Sequence, residues 1–181
     1  MTPTKRITAM NYKRRGCLSA ICAVLIAGNG CLPRRGDRVV DTWEATAGTL
    51  KVRIRKFDEK HSIWPHKYQV FEAAAGGSAN WRELLEWRTD DYYPIEYDRV
   101  QIVSPQVVSV FRGTKYVVTT DAGQTWTTWD AEKHSNIRYK YQIAVKDVRV
   151  SPDGTGTMVV ISDTEPYRFL TLDYGLHWAL K

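Results

Sequence analysis

Thr119-Thr120-Asp121-Ala122-Gly123-Gln124-Thr125-Trp126 decides how this chain is read. Two strand-like runs precede it, Val107 to Phe111 and Lys115 to Thr119, and an apolar ring closes it. A second copy stands near the end of the sequence, Thr171-Leu172-Asp173-Tyr174-Gly175-Leu176-His177-Trp178. Both copies fit Ser/Thr-x-Asp-x-Gly-x-x-Trp. An Asp in a tight turn accepts hydrogen bonds from backbone N–H groups one to three residues on. A Gly two residues later takes positive φ without a Cβ clash. The Trp then folds under the turn, into the space between neighbouring units. The chemistry predicts a turn staple at Asp121 and Asp173 in preference to a ligand-binding carboxylate.

The motif resembles the Asp-box of bacterial sialidase-type β-propellers. On that resemblance Thr119, Asp121, Gly123, Trp126, Thr171, Asp173, Gly175 and Trp178 are the structural residues of two boxes. A decayed third copy is expected over Tyr68 to Leu84, where a strand, two glycines and Trp81 are kept and the Asp is lost. The competing reading there is a short helix capped by Asn80, with Glu83 three positions on. The box reading is preferred because Trp81, Trp126 and Trp178 then recur at intervals of 45 and 52 residues. Propeller blades repeat at about 40–50 residues. The last two units also match upstream of their boxes: Val100 to Pro105 leads into Val107 to Phe111, and Val148 to Pro152 leads into Met158 to Ile161. Each reads as strand, Ser-Pro turn, strand, turn, strand, box, and Asp130 to Tyr141 is a polar link between them.

These units predict an all-β fold, a compact domain of about three blade-like antiparallel units. Closed propellers typically use about four to eight blades. Three units leave a partial propeller, a sandwich built from the same hairpins, or a ring completed by another chain; a single compact domain is favoured.

The ends of the chain differ in kind. Residues 1–30 hold five of the 26 basic residues and none of the 20 acidic ones. They contain an apolar run from Cys17 to Ala27. A basic segment, a short apolar segment and small residues describe a secretory signal. The run falls short of the roughly 20 residues that span a membrane. Residues 31–37 read as an anchor cysteine and tether, and 38–181 as the β-domain. Cys31 follows Ala27-Gly28-Asn29-Gly30, where a lipoprotein carries its lipidated cysteine. Gly28 stands in place of the usual Leu, and ordinary signal peptidase would cut at the same bond. Leu32 after the cysteine resembles lipoproteins sorted to the outer membrane of a Gram-negative bacterium. Without the leader the chain is close to neutral, which gives nucleic acid no basic footprint. No cysteine follows Cys31, so the domain has no disulfide and no thiol chemistry.

Within the domain, Leu50, Val52 and Ile54 alternate with Lys51, Arg53 and Arg55, the period of a half-buried strand. Its basic face is a solvated edge or a docking stripe for an acidic partner. Trp64, Trp87, Tyr92, Tyr93 and Tyr97 offer rigid aromatic contacts or core filling. The candidate partner-binding residues are Lys51, Arg53, Arg55, Trp64, Tyr92 and Tyr93. His61 and His66 lack a convergent third ligand, so no metal site is expected. Asp90 and Asp91, before Pro94, read as solvated turn acids. The Arg-Gly-Asp triplet at 35–37 is a chance tripeptide. No cofactor is expected, and no catalytic residue.

Sialidases use three arginines, a Tyr–Glu pair and an acid Asp, a set this sequence does not reproduce. A further likeness concerns Thr119 to Trp126, Lys146 to Met158 and Asp173 to Trp178. Those stretches resemble periplasmic immunity lipoproteins against type VI secretion lipase effectors. The resemblance implies a non-enzymatic protein, anchored in the membrane by lipid, that occludes a toxic lipase. The other classes are an envelope scaffold or assembly factor, and a sialidase-like carbohydrate-binding or hydrolysing protein.

Overall fold

A computed structural model describes residues 36–60, 67–89, 93–134, 137, 142–162 and 166–181. Among the described residues twelve strands form three four-stranded antiparallel sheets, each a simple meander in chain order. The first sheet contains β1 (Arg38–Ala47), β2 (Leu50–Asp58), β3 (Lys67–Ala74) and β4 (Arg82–Thr89). The second contains β5 (Val100–Ile102), β6 (Val108–Arg112), β7 (Lys115–Thr119) and β8 (Thr127–Asp130). The third contains β9 (Ala144–Val150), β10 (Gly156–Ile161), β11 (Pro166–Thr171) and β12 (Ala179–Leu180). The fold is all-β, and the helix considered after Asn80 is instead β4, paired with β3 from Lys67↔Thr89 to Ala73↔Arg82.

The sheets pack in series. Leu50, Val52 and Ile54 are fully buried and meet Val108, Val110 and Val117 of the second sheet. The opposite face of the second sheet carries Phe111, Tyr116 and Val118, which pack on Val148, Met158, Val160 and Phe169 of the third. A two-layer sandwich buries one face of each sheet. Here the middle sheet is covered on both, which explains why β6 and β7 read as apolar runs without alternation. Successive propeller blades pack this way, and the stack is open at both ends. The first strands of the later sheets run close together: the Gln101 side chain donates to the Val148 carbonyl, and an Arg99 amino group donates to the Lys146 carbonyl at 3.2 Å.

The polar link after the second sheet starts with one 3-10 turn, Ala131–Lys133, whose N-terminus is capped by the Asp130 carboxylate accepting from Glu132 N–H. Ala131 is fully buried and Ile137 nearly so, both in the core between the second and third sheets. A link that is polar overall therefore still contributes apolar plugs.

Candidate interaction surface

The two Thr-x-Asp-x-Gly turns join the third and fourth strands of their sheets, and their wiring is the same. Thr119 Oγ1 donates to Asp121 Oδ1 at 2.8 Å and accepts from Gly123 N–H at 2.9 Å. Thr171 Oγ1 donates to Asp173 Oδ1 at 2.7 Å and accepts from Gly175 N–H at 2.9 Å. Each Asp then reaches four residues on. Asp121 accepts from Thr125 N–H at 2.9 Å and from the Thr125 hydroxyl at 2.6 Å. Asp173 accepts from His177 N–H at 3.0 Å and contacts His177 Nδ1 at 2.6 Å. The sequence reading placed the Asp acceptor closer along the chain. The difference arises because the threonine hydroxyl takes the glycine N–H and frees the carboxylate for the far side of the turn.

The residues between Asp and Gly, Ala122 and Tyr174, have φ of 56° and 62°. Their N–H groups donate to the preceding Ser-Pro turns, Ala122 to the Gln106 carbonyl at 3.0 Å and Tyr174 to the Gly154 carbonyl at 2.8 Å. These bonds satisfy backbone groups that a left-handed residue turns outward.

Electrostatics follow the wiring. Hydrogen bonds from the Thr125 hydroxyl and N–H hold the Asp121 carboxyl below its ordinary value of 3.8. For Asp173 burial works upward, but the bonds from His177 and Thr171 outweigh it and the carboxyl is also lowered. Both carboxylates are thus committed to their own turns.

Each turn seats on the sheet before it. Trp126 meets Phe71 of the first sheet edge-on, with ring centroids 6.1 Å apart. Trp178 meets Tyr116 of the second sheet edge-on at 5.4 Å. The Tyr116 hydroxyl donates to the Tyr174 carbonyl at 2.9 Å, and burial pushes the phenol up to about 12. Burying one such ring is worth about 4–6 kcal/mol before entropy is counted.

The link between β3 and β4 is the first sheet's counterpart of these turns. It closes through Ser78 N–H on the Ala75 carbonyl at 3.1 Å, with Gly76 and Gly77 in the left-handed region. Trp81 turns back on its own sheet, and the Arg53 guanidinium lies 3.8 Å from its ring centroid.

That contact bears on the basic stripe. Register pairs Arg53 with Glu72 and Arg55 with Val70. Both guanidiniums fork onto the one carboxylate. Arg53 Nε lies 2.8 Å and Arg55 Nε 2.5 Å from Glu72 Oε2, and their second nitrogens reach Oε1 at 3.3 Å and 2.6 Å. Burial alone would raise the Glu72 pKa; the hydrogen bonds and charges of Arg55 and Arg53 overcome it and lower it. The Arg53 and Arg55 side chains are 17% and 20% exposed, whereas Lys51 is free in solvent. Next to them Phe57 stacks on Tyr68 at 4.9 Å. The outer face of the first sheet is sealed by its own residues.

Tyr93 is 57% exposed and sits elsewhere: Lys56, which alternates to the other side of β2 from Arg55, donates its ammonium to the Tyr93 carbonyl. There Tyr93 borders a depression of about 410 Å³ lined also by Tyr97, Glu96, Arg99 and Arg112, with Tyr97 stacked on Trp43. The structure therefore separates Tyr93 from Arg53 and Arg55. Cys31, His61, Trp64, His66, Asp90, Asp91 and Tyr92 lie outside the described residues. Among the described residues no cluster of three His, Cys, Asp or Glu side chains could hold a metal ion.

Sequence reasoning passed over the outer face of the third sheet. Thr157, Val159, Ile161, Arg168 and Leu170 alternate there with buried Met158, Val160, Tyr167 and Phe169. The signal was the alternation from Pro166 to Thr171, in which an exposed Leu and Arg interleave with buried aromatic rings. No family model, curated protein or solved structure matches the chain.

Proposed function

We propose that this chain is an exported, lipid-anchored binding protein without catalytic activity, an immunity protein that binds and neutralises a type VI secretion lipase effector in the periplasm. One observation carries the reading. Two of the three stretches that resemble such proteins, Lys146 to Met158 and Asp173 to Trp178, are joined in space: the Tyr174 hydroxyl donates to the Pro152 carbonyl and Tyr174 N–H to the Gly154 carbonyl, and the hydroxyl of Tyr116, on the strand that leads into the remaining stretch, donates to the Tyr174 carbonyl. They act together as the frame that holds the second and third sheets. A frame of this kind presents rigid outer faces, and a rigid face binds with little ordering cost. Inhibition would be stoichiometric, the bound domain blocking access of lipid to the lipase.

The test is co-expression with a lipase-like protein encoded beside the gene. The expected result is a 1:1 complex whose lipase activity is lost in proportion to the bound chain. A neighbour that purifies alone and keeps full activity in the presence of excess chain sinks the proposal. Palmitate labelling that disappears in Cys31→Ala checks the anchor separately.

A further inference from the structure

The two internal contacts share a socket. In each, a turn glycine and a Trp of the later sheet seat on the face of the earlier one. A Cβ at Gly123 would lie 2.6 Å from Leu50 Cδ1, and one at Gly175 would lie 2.6 Å from Tyr116 Cε1. Thr119 and Thr171 hold the same place in their turns, so Tyr116 and Val118 of β7 correspond to Arg168 and Leu170 of β11. Register extends the match: Phe111 pairs with Tyr116, and Val159 pairs with Arg168. The receiving face of the second sheet, Phe111, Tyr116 and Val118, is covered by the third sheet. Among the described residues no further sheet covers the corresponding face of the third sheet. Leu170 is 40% and Ile161 37% exposed there.

The open face has a cleft of about 250 Å³ lined by Asp147, Arg149, Thr157, Val159, Arg168 and Leu170, with Lys181 at its margin. Among the described lining residues three are cations and one, Asp147, is acidic, and Asp147 lies 3.1 Å from Arg149. Arg168 replaces the buried tyrosine of the second sheet, while Val159 and Leu170 keep the apolar floor. A second copy is a poor occupant. Seated through the same face, its third sheet is equally basic, and like charges across a contact are unfavourable.

We propose that the outer face of the third sheet, around Val159, Arg168 and Leu170, docks an acidic protein loop bearing an aromatic ring, seated as Trp126 and Trp178 are seated inside the stack. The inference rests on the binding-protein reading for the identity of the partner, and the face can be tested without it. The probe is a blocked acidic hexapeptide with one central tryptophan, titrated into the mature chain carrying labelled Val and Leu methyl groups. Saturable shifts should centre on Val159 and Leu170, with a dissociation constant on the order of 1 mM. Arg168→Glu, an exposed substitution that leaves the core intact, should weaken binding at least about fivefold, since close charge pairs carry that much or more. The same peptide with lysines for its acids should not bind.

Shifts centred elsewhere, or unchanged by Arg168→Glu, overturn the proposal. So does a dimer that Arg168→Glu dissolves, which would make a second copy the occupant. So does binding to phosphatidylglycerol vesicles without any peptide response, which would make the occupant a membrane. A lipase complex that survives both Arg168→Glu and Leu170→Glu overturns the face and leaves the proposed function standing. Peptide binding at the face without any lipase complex does the reverse.

Discussion

Gly175→Ala measures how much the turn-to-sheet contact stabilises the stack. Gly175 has φ of +88°, and a Cβ there would lie 2.6 Å from Tyr116 Cε1, 2.7 Å from Tyr116 Oη and 2.9 Å from Trp178 Cζ2. All three atoms belong to rings packed on both sides, so none can yield cheaply. The left-handed backbone costs an alanine about 1–2 kcal/mol. Forcing a methyl into a filled core adds about 1–3 kcal/mol. Displacing Tyr116 weakens its bond to the Tyr174 carbonyl, worth about 1 kcal/mol. The expected loss is therefore about 3–6 kcal/mol, a large part of the roughly 5–15 kcal/mol that holds a domain folded. Gly113→Ala is the control: its φ is +59°, but nothing lies within 4 Å of the added Cβ. It should lose only the backbone contribution, about 1–2 kcal/mol. Urea unfolding followed by tryptophan fluorescence, with far-ultraviolet circular dichroism as a second probe, reads the difference. The midpoints of thermal unfolding should separate by roughly 5–15 °C in a domain of this size. Equal losses in the two variants, within about 1 kcal/mol, would refute the claim that the glycine is there for the neighbouring sheet.

Acid should weaken the fold in a defined window. The Asp121, Asp173 and Glu72 carboxyls are all held below their ordinary values of 3.8, 3.8 and 4.5. A lowered folded-state pKa gives stability that is present above the unfolded value and lost as pH falls through the folded one. The urea midpoint should therefore fall below about pH 4, and less steeply in Asp121→Asn/Asp173→Asn; a slope unaffected by the double substitution contradicts the assignment. Glu72→Gln leaves Arg53 and Arg55 facing each other, and should cost about 2–4 kcal/mol, below the full price of breaking a buried pair because both arginines keep some solvent. Lys51→Ala on the same strand should stay within about 0.5 kcal/mol; similar losses for the two, by chemical denaturation, would mean the fork contributes no more than a solvated charge.

Much of the fold was legible because turn chemistry is local. Thr, Asp, Gly and Trp at fixed offsets marked both turns, and the alternation from Leu50 to Arg55 marked a half-buried strand. Three features were not legible, each for a physical reason. The closing strands β8 and β12 are short, four and two residues, and carry no pattern of their own. The direction in which Trp126 and Trp178 lean depends on how the sheets stack, and no offset within a turn encodes that. The fork of Arg53 and Arg55 on Glu72 depends on strand register, since their partner stands 19 and 17 residues away on β3. Read alone, β2 offers a bare basic stripe. Read with β3, most of that charge is already engaged.

The two ends of the stack now differ in a way that bears on function. A face left by an absent neighbour must be either satisfied internally or covered by something else, because uncovered apolar surface is unfavourable. The first sheet takes the former course. Its Trp81, placed in the link that corresponds to those of Trp126 and Trp178, lies against Arg53 of its own sheet, and Glu72 ties Arg53 to Arg55. Among the described residues the third sheet has no such seal: Leu170 and Ile161 stay open, and Arg149 is 81% exposed in its side chain. Strand β1, the first of the domain, lies in the first sheet, at the sealed end. The proposed tether would join there and leave the third sheet free to meet a partner. Of the two end faces, the one whose residues remain uncommitted is therefore also the one placed farther along the stack from the proposed anchor.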